Sequence, residues 1–160
     1  MRNISLGELF GVFARRLQPS NGPGSSSANG HSPLPLSIVT QGRNDCYMGN
    51  FKWRLATSLN RYAESIVRLG TQREVELLLV DWGSAEPLSQ SMALSDSARN
   101  LLKVVTVPQG VAARFNRDSP YSVVHAANCG IRRALGRFIM FCDGDTYLPQ
   151  HSLEAILEGI

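Results

Sequence analysis

Arg137-Phe-Ile-Met-Phe-Cys-Asp-Gly-Asp-Thr146 decides the fold. Phe138 to Cys142 is an unbroken apolar run, and it ends in two carboxylates, Asp143 and Asp145, one residue apart. An apolar run of that length before a polar break predicts a strand buried on both faces. Gly136 just ahead of it fits a helix C-cap. The strand delivers an Asp-Gly-Asp turn to its C-terminal edge, where open α/β sheets bind ligands. Neighbouring carboxylates repel each other, and a hard divalent cation, Mn²⁺ or Mg²⁺, relieves the repulsion while sharing its remaining positions with phosphate oxygens. Gly144 permits the tight turn and a close ligand approach. A plain acidic β-turn has the same composition, because Asp-Gly is ordinary turn chemistry. The stretch alone leaves both readings open.

Working outward, the strand is preceded by a helical pattern. Ser119-Pro120 suits its N-cap and first position, and Arg132 and Arg133 fall in its last turn. Further upstream lie three more short apolar runs. These are Leu36 to Thr40, Glu76 to Val80 and Leu101 to Val107, separated by helical patterns over Asn50–Leu69 and, more weakly, Pro87–Asn100. A last helix follows Pro149. The alternation predicts an α/β fold with a doubly wound, mostly parallel sheet and helices on both faces. A strand order of 3-2-1-4 places the first and fourth strands side by side. Thr40-Gln41-Gly42 and Asp143-Gly-Asp145 then face one crevice at the switch point. In that order the fourth strand is at the sheet edge and is expected to lack a partner, which invites association.

The domain itself is expected to span residues 36–160. Residues 18–35, rich in Pro, Gly, Ser and Asn, read as a flexible linker. Residues 1–17 carry Ile4, Leu6, Leu9, Phe10, Phe13 and Leu17 on roughly one side. They are expected to form a short amphipathic helix able to make a peripheral membrane or partner contact. The chain has 160 residues, enough for one domain with its own core. Its net charge is +3, with Lys and Arg scattered, which argues against a nucleic-acid partner. Cys46, Cys129 and Cys142 are odd in number and lack metal-ligand spacing, so no disulfide framework is expected. No apolar run approaches the roughly 18 residues that span a bilayer, and Leu9 to Ala14 is too short for a signal-peptide core. A cytoplasmic location is the expectation.

Several stretches together carry a resemblance. Ser37-Ile-Val-Thr40, Val80-Asp-Trp-Gly-Ser84, Ala126-Ala-Asn-Cys-Gly-Ile131 and Gly136 through Asp145 resemble the nucleotide-sugar-binding half of family-2-like glycosyltransferases with the GT-A fold. The last of these carries the family's Asp-x-Asp signature, with Asn128, Gly130 and Gly136 at the family's spacing. The resemblance implies a metal-dependent transferase, hexosyltransferase-like, that binds a nucleotide-sugar donor, a UDP-sugar, and passes the sugar to a saccharide or other acceptor. It implies that Asp145 is the main metal ligand and that Asp143 shares the metal or contacts the ribose. It also implies that Thr40, Gln41, Gly42 and Asp81 hold the base and ribose, with Asn128 on the substrate side.

Two positions depart from the family. Trp82 stands where a second acidic residue is usual, and either stacks on the base or packs in the fold. Ala127 replaces the basic residue usual before the helix Asn, and Arg114 or Arg117 in the preceding loop is the candidate substitute for the phosphate contact. The family's catalytic base belongs to an acceptor half expected beyond Ile160, so no catalytic residue is assigned and the chain reads as truncated. The alternatives are a sugar-phosphate nucleotidyltransferase and a non-catalytic nucleotide-binding module. No Gly-x-Gly-x-x-Gly and no P-loop fingerprint is present.

Overall fold

Apolar runs too short for helices and too continuous for one-sided strands pair in parallel to make the sheet. The computed structural model describes residues 34–116, 119 and 121–160, with the backbone of Ala14–Arg15. The strands are β1 (Ala14–Arg15), β2 (Leu36–Gly42), β3 (Val75–Trp82), β4 (Leu102–Val107) and β5 (Phe138–Phe141). They lie in the order β1-β5-β2-β3-β4, and β2 to β5 are mutually parallel. The four expected strands therefore stand in the expected 3-2-1-4 order. Every residue of β2 and β3 is buried, as parallel strands covered on both faces must be.

The helices are α1 (Phe51–Arg68), α2 (Leu88–Ser91), α3 (Asp96–Leu101), α4 (Gln109–Ala112), α5 (Val123–Arg133) and α6 (Gln150–Gly159). On one face of the sheet Ile38, Leu77, Leu79 and Met140 pack with Leu55, Leu59, Tyr62 and Ile66 of α1 and Leu153 of α6. On the other face Val39, Leu78 and Ile139 pack with Ala134, and Val80, Trp82 and Val107 with Ala112 and Ala126. Alternate strand residues thus feed two cores, the physical basis of the doubly wound arrangement. α5 meets the sheet at Gly130, where a Cβ would lie 2.5 Å from Val39 Cγ1 and 2.9 Å from Val80 Cγ2. Only a glycine lets the helix come that close.

Four expectations need correction. First, Ala14–Arg15 is not helical: Ala14 pairs with Ile139 and Arg15 with Phe138, antiparallel, so β5 has a neighbour on its outer side. The rest of the expected helix, and residues 18–33 of the expected linker, lie outside the described residues. Leu34 and Pro35, just before β2, are already tied to the domain, because their carbonyls accept the N–H groups of Arg137 and Phe138. Second, α5 begins at Val123 with Ser122 before it. Ser119 instead turns its hydroxyl onto the backbone of Tyr121, the local competition that makes Ser a turn residue as readily as a cap. Third, α5 ends at Arg133 with Ala134 as its C-cap, and Gly136 serves close approach: a Cβ there would lie 2.4 Å from Ser37 N. Fourth, the weak helix over residues 87–100 is two short helices, interrupted at Met92, which is extended.

At the opposite edge of the sheet from the Asp-Gly-Asp turn, Glu76 is 4% exposed. Its Oε2 accepts the Ser37 hydroxyl and, at 2.8 Å, the Leu135 N–H, while Oε1 accepts Lys103 Nζ at 3.0 Å. Ser37 Oγ in turn accepts the Gly136 N–H at 2.8 Å. One carboxylate thus joins β2, β3, β4 and the α5–β5 connection. Burial pushes its pKa up, but the Leu135 N–H, the Ser37 hydroxyl and Lys103 outweigh burial and hold it below its ordinary 4.5. A depressed folded-state pKa contributes stability that is complete above the unfolded value and is lost as pH falls through the folded value. Glu76→Gln is expected to cost about 1–3 kcal/mol near neutral pH and to shrink the acid-induced loss of stability. Urea melts of both proteins from neutral to acid pH check this, and equal midpoints at neutral pH contradict it.

Candidate active site

The register of β2 and β5 builds the site. Leu36 pairs with Phe138 and Val39 with Phe141, and the Cys142 N–H donates to Val39 O at 2.9 Å. β5 stops at Phe141, whereas β2 runs on to Gly42. The Asp-Gly-Asp turn, closed by the Thr146 N–H on Asp143 O at 3.1 Å, therefore crosses over the end of β2. A Cβ on Gly144 would lie 2.9 Å from Gln41 O and 2.9 Å from Phe51 Cζ, and one on Gly42 would lie 3.0 Å from Phe51 Cε1. The Phe51 ring, at the start of α1, crowds both glycines, together with Leu55 at Gly42 and the Gln41 carbonyl at Gly144. The ends of the first and fourth parallel strands face one crevice, as expected.

The crevice opens into a cleft of about 460 Å³, whose walls include Gln41, Asp45, Phe51, Tyr121, Asp143 and Asp145. Asp143 and Asp145 are exposed at its rim. Asp145 Oδ2 lies 3.1 Å from Arg54 Nη1, and the guanidinium sits 5.9 Å from the centroid of the Phe51 ring. Arg54 Nε and Nη2 are buried without a hydrogen-bond partner. The loop from β2 to α1 turns through Met48 and Gly49, both at positive φ, and Asp45 Oδ1 accepts the Tyr47 N–H at 3.0 Å. The Tyr121 hydroxyl is buried and has no hydrogen-bond partner. Burial, then the charges of Asp45, Asp143 and Asp81, push its pKa well above the ordinary tyrosine value, so it is a neutral hydroxyl throughout the accessible pH range.

The residues singled out from sequence separate into two groups. Gln41, Asp143 and Asp145 line the cleft. Behind its floor, Thr40 Oγ1, Gln41 Oε1 and Asp81 Oδ1 are buried without partners, while Asp81 Oδ2 accepts the Leu88 N–H at 2.9 Å. Trp82 packs: it is 4% exposed, its Nε1–H donates to Asn116 Oδ1 at 3.2 Å, and it stacks at 6.4 Å on His125. Arg114 lines an adjoining groove of about 640 Å³ that shares Ser119, Tyr121 and Val123 with the cleft and does not include the carboxylates. Arg117 lies outside the described residues. Asn128 is exposed and does not line the cleft. α5 presents Ala126 and Gly130 to the sheet, and a residue two positions from each turns to the far side of a helix. Sequence reasoning missed Phe51, Arg54, Asp45 and Tyr121. The available signal was position, because the first turn of the helix after the switch-point strand opens onto the crevice.

Asp143 and Asp145 offer hard oxygen donors suited to Mg²⁺ or Mn²⁺. Among the described residues no group of three His, Cys, Asp or Glu side chains is arranged to hold a metal ion. The donor set therefore fits a cation whose remaining positions are filled by ligand oxygens and water, and not a protein-only cage. Cys142 is no alternative ligand: burial pushes its thiol pKa up, and its sulfur accepts the Tyr62 hydroxyl at 3.3 Å. No described helix is long and apolar enough to cross a membrane. No protein-family model and no curated protein matches the chain.

Proposed function

We propose that this domain is the donor-binding part of a metal-dependent glycosyltransferase that holds a nucleotide-diphospho-sugar, a UDP-sugar, and passes the sugar to an acceptor. The observation that carries the reading is the acidic turn of β5 lying across the end of β2 at the lip of a cleft. Asp145 and Asp143 would hold Mn²⁺ or Mg²⁺ together with the diphosphate. When bound, the cation supplies Lewis-acid stabilisation of the leaving diphosphate. The chain's own residues do the rest of the binding. The Gln41–Gly42 strand end receives the base and ribose, and Thr40 and Asp81 back it from behind the floor. Tyr121 contributes a neutral hydroxyl at the floor. No base for the acceptor is assigned. The nucleotidyltransferase alternative draws on Arg43, which lines the same cleft after β2. Product analysis separates the two, since transfer releases the nucleoside diphosphate and nucleotidyl transfer releases pyrophosphate.

UDP is expected to bind only when Mn²⁺ or Mg²⁺ is present, because the carboxylate pair repels a diphosphate unless a cation lies between them. Calorimetry with and without EDTA checks it, and equal affinity in both removes the metal from the account. Asp145→Ala is expected to lower any transferase rate roughly a thousandfold, the equivalent of several kcal/mol of leaving-group stabilisation. Trp82→Phe, which keeps a ring in the core, is expected to leave UDP affinity nearly unchanged. If the Trp82 variant is the more damaging while its melting temperature is retained, the roles are wrongly assigned.

A further inference from the structure

A cation already stands against the acidic turn beside the cleft. Arg54 projects from the first turn of α1 and pairs with Asp145, the carboxylate given the leading metal role above. The pair is only partly shielded, with side-chain exposures of 24% for Arg54 and 35% for Asp145. The guanidinium itself is under-used, because it makes one ion pair through Nη1 while Nε and Nη2 are buried with no acceptor. Desolvated guanidinium donors without partners are costly, and a planar fork of this kind matches the oxygens of a phosphate. Asp145 has no second cation partner among the described residues, and Asp143 has none.

We propose that Arg54 changes partner during the ligand cycle. In the ligand-free protein it neutralises Asp145 and so keeps the acidic turn from repelling itself apart. A divalent cation takes Asp145 over, and the released guanidinium turns its donors to the diphosphate that arrives with the cation. Arg54 is then a positioning residue for the metal and a binding residue for phosphate. It performs the contact expected of Arg114, which lines the adjoining groove and not the cleft. The inference rests on the reading of Asp145 as a metal ligand.

The two roles have opposite signs, and that gives the test. Arg54→Gln in the full chain removes a competitor for Asp145 and a partner for phosphate. Mn²⁺ alone, titrated by electron paramagnetic resonance, is expected to bind about threefold to fivefold more tightly to the variant, the scale of a partly exposed ion pair. UDP at saturating Mn²⁺ is expected to bind about tenfold more weakly, the scale of a lost charge-assisted hydrogen bond. Arg54→Lys, which keeps the charge and loses the fork, is expected to hold Mn²⁺ affinity near wild type and to recover only part of the UDP affinity. A merely structural role would weaken both ligands together. Weaker or unchanged Mn²⁺ binding in Arg54→Gln, or unchanged UDP binding, overturns the proposal. Asp145→Asn serves as the separate control: if it leaves Mn²⁺ binding intact, the metal reading itself fails, whatever Arg54 does.

Discussion

The parallel pairing of β2 with β5 is the constraint on which the site depends. Strands adjacent in space but distant in sequence end at different heights, β2 at Gly42 and β5 at Phe141. The longer strand's end lies under the shorter strand's turn. Contact between them is so close that Gly144 cannot carry a side chain without displacing the Gln41 carbonyl or Phe51, and Gly42 is crowded by Leu55 and Phe51. Two carboxylates, an arginine and several inward-facing polar atoms then converge, although the carboxylates come from the far end of the domain sequence and the rest mostly from the consecutive β2, α1 and β3.

The two edges of the sheet divide the work. At the N-terminal edge, both Glu76 carboxylate oxygens accept hydrogen bonds, from Ser37, Leu135 and Lys103. Such a network favours one arrangement of strands and connection over its alternatives. At the C-terminal edge, Thr40, Gln41, Asp81, Arg54 and Tyr121 all keep at least one buried polar atom without a partner. Native proteins leave few such atoms, and those they leave call for an explanation. A ligand that brings its own donors and acceptors into the cleft supplies one.

The strands were legible because buried parallel strands are continuous apolar runs, and Leu36–Thr40, Glu76–Val80 and Phe138–Cys142 have little else in them. Strand order followed from the ordinary rules of α/β connection, and with it the meeting of Gln41 with Gly144. Side-chain direction was less legible. Asn128 has the spacing of a binding residue, yet Gly130 must face the sheet, and that turns Asn128 outward. Ser119 has the composition of a cap, but its hydroxyl is taken by Tyr121. The Arg54–Asp145 pair spans most of the domain in sequence, and only its place in the first turn distinguishes Arg54 from Arg61 and Arg68 on the same helix. A two-residue strand such as Ala14–Arg15 is shorter than any period that could announce it.

The central claim is that a divalent cation, completed by a diphosphate, sits where the turn of β5 crosses the end of β2. Paramagnetic broadening of backbone amide signals by substoichiometric Mn²⁺ in the presence of UDP tests it most directly. The amides of Gly42, Gly144 and Thr146 are expected to broaden first, while Glu76 and Gly70, at the far edge of the sheet, stay sharp. Broadening centred on Arg114 and Asn128, or spread evenly over the surface, would contradict it.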